Sequence, residues 1–412
     1  MTPKKLVSLA LAVLGVATVA LLGIGRATHP PDRSPDGVLA QQALTACQSR
    51  PKAERSDCYQ GALQARLTGA GVGSAMSLLK ALARADDRLE REGHVLAHGI
   101  GIKGYLLAQN VPVPFGQCPV DFASGCKHGV IQAYLEGQDA VDSASINALC
   151  DPYRAAGETR FNLFQCVHGM GHGFQMMYQG DLPRALGSCE QLRDGWDRDS
   201  CFGGAFMENI VSEIAPHHPS TKLVASHQHD NHRAFKALDS TDLLYPCSVV
   251  AEKFWRPCYE IQTSAILHFT DNDIRRTAEI CATAPETMQS VCSASLGRDI
   301  SSRALRDPGK SIRLCKKGGE RNLGWCYFGT AKALIDWGGN PSTGMALCRR
   351  LGDSLGWELC YQGVGEQVAS LIQDSQQRAR ICSEADRPEA VTVCQRSAGV
   401  VLETTRSDSP KS

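Results

Sequence analysis

Residues 273–296 read DIRRTAEICATAPETMQSVCSASL, a stretch in which two segments of mixed apolar and charged residues flank a break at Pro285. Proline fixes φ and lacks a backbone N–H, so it suits a helix break or the first turn of the next helix. Cys281 precedes the break by about one helical turn and Cys292 follows it by about two, so the two cysteines face each other across an antiparallel helix pair. The stretch therefore predicts a helical hairpin that a disulfide bond can close.

The same unit recurs along the 412-residue chain, whose eighteen cysteines fall into nine successive pairs. The separation between the second cysteine of a pair and the first cysteine of the next pair is 22 to 24 positions in most cases. No C-x-x-C occurs, which gives no support to a zinc ribbon, a thioredoxin motif or haem attachment. The pattern predicts a disulfide framework formed in an oxidising compartment. The predicted pairs are Cys47 with Cys58, Cys118 with Cys126, Cys150 with Cys166, Cys189 with Cys201, Cys247 with Cys258, Cys281 with Cys292, Cys315 with Cys326, Cys348 with Cys360 and Cys382 with Cys394.

Two gaps depart from this period. The separation between Cys58 and Cys118 is 60 positions, which leaves room for one more helical hairpin without cysteines. In this hairpin Leu96 occupies the position of the second cysteine. The gap from Cys201 to Cys247 is 46, which predicts an inserted histidine-rich surface loop at about residues 213–240. With no strand pattern anywhere, the sequence predicts an all-α fold, an α-solenoid of about ten helical hairpins over residues 40–402.

The N-terminus predicts a route out of the cytoplasm. Lys4 and Lys5 precede a long apolar run, and residues 1–26 are predicted to form an uncleaved signal anchor, one transmembrane helix that leaves the bulk on the periplasmic or extracellular side. A cleaved signal peptide is the alternative. A proline-rich linker at residues 27–39 and a disordered tail at 403–412 complete the predicted organisation.

The charge balance gives no reason to expect a nucleic-acid partner. The chain has 43 basic and 43 acidic side chains. Three of the basic residues and no acid lie within residues 1–26, so the rest has a formal charge of −3.

A glycine lies three positions after most of the second cysteines, at Gly61, Gly129, Gly169, Gly204, Gly329 and Gly363. Glycine costs about 1 kcal/mol relative to alanine inside a helix. Its repetition therefore predicts that neighbouring helices approach closely at this position.

Histidines cluster in three consecutive copies, about residues 75–210. A His-Gly phrase recurs at His98-Gly99, His128-Gly129 and His168-Gly169, and the next copy has Gly203-Gly204 instead. Two more histidines lie one helical turn away, at His94 and His172. Since equivalent residues of stacked hairpins project from the same surface, these five side chains are expected to lie on one line.

Two interpretations of this line remain open. Imidazoles at i and i+4 share a helix face and suit a transition metal, here copper, iron, zinc or nickel, with Glu136 and Glu208 as further carboxylate ligands or bases. Alternatively, the rings pack beside the glycines and hydrogen-bond to neighbouring carbonyls. Five further histidines of the inserted loop indicate a solvated loop, with metal capture or a lid as the alternative: His217, His218, His227, His229 and His232.

In period and cysteine placement, residues 40–400 resemble tetratricopeptide and Sel1-like repeat proteins, and one disulfide per hairpin is similar to secreted cysteine-rich Sel1-like proteins. The copies with His-Gly phrases, and the phrase GAFMEN at residues 204–209, look like an uncharacterised exported family. These resemblances imply a fold and no activity.

Two functions follow from the sequence. The first is a membrane-anchored exported protein that binds a transition metal through the five histidines, with an oxidoreductase or hydrolase role as its extension. The second is a disulfide-rigidified scaffold whose concave face binds a protein or peptide.

Overall fold

The computed structural model describes residues 33–155, 158–214, 235–352 and 354–400, and the regular structure within these ranges is entirely helical. The all-α prediction is therefore confirmed for this part of the chain. The helices are α1 (Pro35–Gln48), α2 (Arg55–Ala85), α3 (Asp87–Ala108), α4 (Pro112–Gln117), α5 (Gly125–Glu136), α6 (Ser143–Leu149), α7 (Arg160–Met177), α8 (Leu182–Cys189), α9 (Gly195–Ile214), α10 (Trp255–Tyr259), α11 (Thr263–Phe269), α12 (Ile274–Cys281), α13 (Glu286–Arg303), α14 (Pro308–Lys317), α15 (Leu323–Gly338), α16 (Pro341–Arg349), α17 (Trp357–Leu371), α18 (Ser375–Cys382) and α19 (Pro388–Ser397).

Several predicted segments lie outside the described residues: the signal anchor at 1–26, the tail at 403–412 and most of the inserted loop with all five of its histidines. Among the described helices, none combines the length and the apolar character that crossing a membrane requires.

All nine predicted disulfides are present, each within one hairpin. The bonds join Cys47 to Cys58, Cys118 to Cys126, Cys150 to Cys166, Cys189 to Cys201, Cys247 to Cys258, Cys281 to Cys292, Cys315 to Cys326, Cys348 to Cys360 and Cys382 to Cys394. Their Cα atoms are 5.5 to 5.9 Å apart, the separation at which a disulfide closes without distortion. With no cysteine left free, the framework indicates an oxidising compartment.

The hairpin of α12 and α13 has the arrangement that the sequence predicts. Cys281 ends the first helix, and Pro285 directly precedes the second. Cys292 lies in the second turn of α13, where its disulfide holds the two arms together.

The hairpin without cysteines is also confirmed. Helix α2 is 31 residues long and contains one non-helical position, Gly71, with φ 85° and ψ 171°. A side chain rarely adopts that conformation, so glycine is required at this bend. The residues before Gly71 form the second arm of the first hairpin, and those after it form the first arm of the next hairpin, whose second arm is α3.

Two boundaries differ from the prediction. Helix α1 begins at Pro35, inside the predicted linker, because the Ser34 side chain accepts a hydrogen bond from the Gly37 N–H and Pro35 occupies the first turn. The arm that holds Cys247 is a series of turns rather than a helix. Gln262 donates to the carbonyls of Leu243 and Tyr245 there, at 2.9 and 2.8 Å, and replaces helical hydrogen bonds.

The second arms of successive hairpins pack side by side through glycine. A Cβ atom at Gly129 of α5 would lie 2.1 Å from the carbonyl oxygen of His98 in α3, and one at Gly329 of α15 would lie 1.9 Å from that of Ala294 in α13. The prediction of close approach is thus confirmed at these positions. It is wrong at Gly61, where an added Cβ would meet nothing within 4 Å.

The row of hairpins curls back on itself, so that α7 contacts α17. The ring of Phe122, in the turn before α5, packs edge-on against Trp337 at the end of α15, with centroids 5.2 Å apart. Arg306 lies over the Trp337 ring at 3.3 Å and pairs with Glu90 of α3 at 3.3 Å. These contacts bring the C-terminal hairpins onto the helices that carry the histidines.

We expect Gly329→Ala to destabilise the fold by about 1 to 3 kcal/mol, because its Cβ overlaps the Ala294 carbonyl oxygen and forces two helix backbones apart. The matched control is Gly61→Ala, at the equivalent position of an open helix, which should be neutral or stabilising by up to about 1 kcal/mol. Urea unfolding of both variants with the disulfides intact measures the difference. Equal effects would contradict the close backbone contact.

Candidate metal centre

The structure brings the five predicted histidines together on three neighbouring helices, α3, α5 and α7. Their ring centroids lie 4.8 to 5.5 Å from the nearest histidine neighbours. Four of the rings are at most 5% exposed and the remaining one, His94, is half-buried. We call the group the histidine cluster: His94, His98, His128, His168 and His172.

The glycine contacts explain why the rings meet. Gly129 against the His98 carbonyl joins α3 to α5, and Gly204 against the His168 carbonyl, where a Cβ would lie 2.0 Å away, joins α7 to α9. A Cβ atom added at Gly169 would lie 3.1 Å from the Cβ atom of Ile131. Helices α5 and α7 are therefore also close, but a side chain separates their backbones. Backbones held this near place equivalent side chains within reach of one ion.

The cluster contains two groups of three histidines whose donor nitrogens lie within 4.8 Å of one another. The N-terminal triad is His94, His98 and His128, and the C-terminal triad is His128, His168 and His172. His128 belongs to both. Transition metals bind imidazole nitrogens at 2.0–2.1 Å, so three nitrogens this close together form a candidate ligand set for one ion.

Hydrogen bonds orient every ring of the C-terminal triad. His168 donates from Nδ1 to the Ser200 carbonyl at 3.1 Å, and His172 donates from Nδ1 to Glu208 Oε2 at 2.8 Å. His128 donates from Nε2 to Gln165 Oε1 at 2.5 Å. Each ring therefore carries its proton on the bonded nitrogen and a lone pair on the other. In the described part of the chain, neither His128 Nδ1 nor His172 Nε2 has a hydrogen-bond partner.

The other two rings contact each other through their Nε2 atoms. His94 donates from Nδ1 to the Phe122 carbonyl at 2.8 Å, and His98 Nδ1 lies 3.0 Å from Gln132 Oε1. The two Nε2 atoms are 3.2 Å apart, within hydrogen-bond distance. A neutral imidazole has one ring proton, so His98 donates either to Gln132 or to His94. Two imidazole nitrogens on one tetrahedral ion are about 3.3 Å apart, close to the separation seen here.

Burial keeps four of the five imidazoles neutral, those of His94, His128, His168 and His172. It lowers the pKa of His94 to about 4 and that of His172 to about 3. The pKa values of His128 and His168 are also well below the usual value, because of burial first and the neighbouring histidines second. Metal binding requires the unprotonated ring, so protons compete little for these sites at neutral pH.

The two predicted carboxylates lie behind the rings and not in either triad. Glu208 of α9 accepts from His172, and Glu136 of α5 accepts from Gln132 Nε2 at 2.9 Å, which in turn meets His98. Burial raises the pKa of Glu136 to about 8. A carboxylate hydrogen-bonded to a ligating imidazole fixes the ring and increases its basicity, and Glu208 has this position behind His172.

The sequence reasoning missed Gln132 and Gln165, the amides that orient His98 and His128. Both are buried on the histidine helices, and the signal was their spacing: Gln132 is four residues after His128, and Gln165 is three before His168.

The Phe122 carbonyl was also missed. Phe122, Ala123 and Ser124 all have positive φ, between 50° and 58°, a left-handed turn for which the sequence offers no glycine. The Ala123 N–H donates to the Trp337 carbonyl at 3.3 Å. The C-terminal hairpins therefore support the turn that orients His94.

Packing accounts for only one nitrogen of His128 and one of His172. Backbone carbonyls take one proton of His94 and of His168, which is what the simple packing interpretation expects. His128 Nδ1 and His172 Nε2 are buried without a hydrogen-bond partner among the described residues, and burying such acceptors costs about 1 to 3 kcal/mol each. These two nitrogens are the feature that packing alone does not explain.

No protein-family model matches the chain, and no curated protein or solved structure is significantly similar to it. The repeated hairpins are established by the structure. The Sel1-like resemblance and the resemblance to an exported family stay predictions.

We expect Glu208→Gln to weaken metal binding about 10- to 100-fold, because a neutral amide no longer strengthens the His172 imidazole as a donor. The control is Glu213→Gln, at an exposed position of the same helix. Competition titration against a chelator of known affinity measures the change. Equal affinities in the two variants would show that Glu208 does not support the centre.

Proposed function

We propose that the protein binds a transition metal ion through the C-terminal triad of His128, His168 and His172. The main support is the orientation of these three rings, each of which donates a hydrogen bond from one nitrogen to a protein acceptor. One nitrogen of each ring lies within 4.8 Å of a nitrogen of each of the other two rings. A bound ion would satisfy the buried lone pairs of His128 and His172 that have no partner among the described residues.

The donor set suits copper, iron, zinc or nickel, since imidazole binds all four. Three protein ligands are typical of a centre that keeps a further coordination position. When bound there, such an ion supplies redox chemistry or activates water. The chain's own residues orient the rings, exclude bulk water and place Glu208 behind His172. An oxidoreductase or hydrolase role is the extension of this proposal.

The setting we propose is an exported, membrane-anchored protein with its hairpins stacked as a curved α-solenoid. Nine disulfides support the exported location, because cytosolic thiols are kept reduced. The lysines and the apolar run of residues 1–26 support the anchor. Side-by-side packing of the second arms supports the solenoid.

The alternative, a rigid scaffold that binds a protein or peptide on its concave face, predicts no metal. The burial of the histidines favours the metal interpretation, since a peptide-binding face needs exposed side chains. Metal binding therefore separates the two functions.

The test is the metal content of the full chain, produced in an oxidising compartment without a histidine tag and measured by mass spectrometry. We expect at least one equivalent of copper, iron, zinc or nickel, as purified or after titration. The double variant His128→Gln with His168→Gln should lose it, because two of the three ligands are gone.

The matched control is His268→Gln, which removes an exposed histidine of α11 and should leave the metal content unchanged. Circular dichroism of each variant establishes that the helices persist. An absence of metal after titration, or full metal content in the folded double variant, would overturn the proposal and favour the scaffold.

A further inference from the structure

We infer that one edge of the folded part rests on the membrane and inserts apolar side chains into the lipid interface. We call it the apolar edge: Val38 in the first turn of α1, Leu106 and Leu107 in the last turn of α3, and Val113 in the first turn of α4. This inference rests on the membrane-anchored setting proposed above and adds the surface that faces the lipid. It is independent of the metal centre.

Exposed apolar side chains are concentrated at this edge. Among the described residues, seven large apolar side chains are exposed, and the apolar edge contains four of them, with exposed fractions of 38 to 53%. The other three lie between positions 249 and 355. Single exposed apolar side chains are ordinary, whereas a group of them marks a surface that meets a partner or a membrane. The apolar edge is therefore a candidate contact surface.

Contacts between α1, α2, α3 and α4 bring the four side chains to one end of the hairpins. Asp36, in the first turn of α1, pairs with Arg66 of α2 at 3.4 Å. Val72 follows Arg66 by six residues, which span at most about 20 Å even when extended. A Cβ atom added at Gly104 would lie 3.3 Å from both Val72 Cγ2 and Pro114 Cβ. The start of α1, the end of α3 and the start of α4 therefore lie at the same edge.

The chain also enters the fold at this edge, and the preceding sequence identifies the lipid as the occupant. The apolar run of the sequence ends at Gly25, and α1 begins at Pro35. The residues between them span no more than about 35 Å when fully extended. The signal anchor that the sequence predicts at residues 1–26 would keep the start of α1 within that distance of the bilayer. The bilayer interface is then the apolar phase nearest to the apolar edge.

Basic and polar side chains border the apolar edge. Arg33 is exposed just before α1, and the half-buried Lys103 lies three and four residues before the two leucines of α3, on the same helix face. Gln109 and Asn110, both exposed, follow α3. Aliphatic side chains in the acyl boundary with basic groups at the level of the lipid phosphates are typical of an interfacial contact. The composition of this edge thus suits a phospholipid surface.

The experiment is tryptophan fluorescence of the full chain in phospholipid vesicles with brominated acyl chains, which quench tryptophans inserted into the membrane. Leu107→Trp places the probe at the apolar edge. The matched control is Leu355→Trp, at an exposed leucine in the turn before α17. Because the second arms run parallel, α17 begins at the end of the hairpins opposite to the end of α3. Wild-type protein supplies the emission of the five native tryptophans for subtraction.

We expect brominated lipid to decrease the emission added by Leu107→Trp at least about twofold and to leave that added by Leu355→Trp unchanged, because only the first position reaches the acyl boundary. If Leu107→Trp fails to fold, Val113→Trp supplies the same readout from the neighbouring helix.

Flotation of the vesicles separates the possible failures. A full chain that does not float with the vesicles would overturn both the anchored setting and the apolar edge, and the metal proposal would stand. A chain that floats without quenching at either edge position would overturn the apolar edge alone. Equal quenching of Leu107→Trp and Leu355→Trp would also overturn it. An unquenched probe in a chain that cross-links to a dimer would assign the edge to a second copy of the chain instead.

Discussion

The close contact between inner helices is the constraint on which the rest of the structure depends. Where Gly129 meets the His98 carbonyl and Gly204 meets the His168 carbonyl, no side chain separates the helix backbones. Disulfides in the first two turns of α5, α7 and α9 hold the outer arms of their hairpins in place, and the loop closure they impose is worth about 3 kcal/mol each. The hairpins therefore stack at a spacing that brings histidines from three copies to one place.

That spacing has an electrostatic consequence. Burial keeps the imidazoles of His94, His128, His168 and His172 neutral. Among the described residues, His128 Nδ1 and His172 Nε2 are buried acceptors without a hydrogen-bond partner. Such acceptors are unfavourable, so the fold carries a local cost that a bound ion would remove. The disulfide framework is well suited to bear this cost, because it lowers the entropy of the unfolded chain.

Much of the fold was predictable from the sequence because its signals are local. Cys281, Pro285 and Cys292 define one hairpin, and their recurrence defines the others, including the copy in which Leu96 replaces a cysteine. The equivalence of His98, His128 and His168 follows from the same period. The turns around Cys247 were not predictable, since Gln262 stabilises them from the other arm of the hairpin, fifteen positions away in sequence.

The environment of the site was harder to predict because it depends on contacts between distant residues. Glu208 lies behind His172 since α9 packs one helix further along the row. The Phe122 carbonyl reaches His94 through a left-handed turn that Trp337 supports from a distant part of the sequence. The repeat spacing predicts which residues are equivalent, but it does not predict which distant hairpins contact each other.

The most direct measurement is a crystal structure of the metal-loaded protein with anomalous diffraction at the absorption edge of the bound metal. The account predicts an anomalous peak within about 2.0 to 2.1 Å of nitrogens of His128, His168 and His172. A metal bound elsewhere, for example on the histidines of residues 217–232, with the cluster empty, would contradict it.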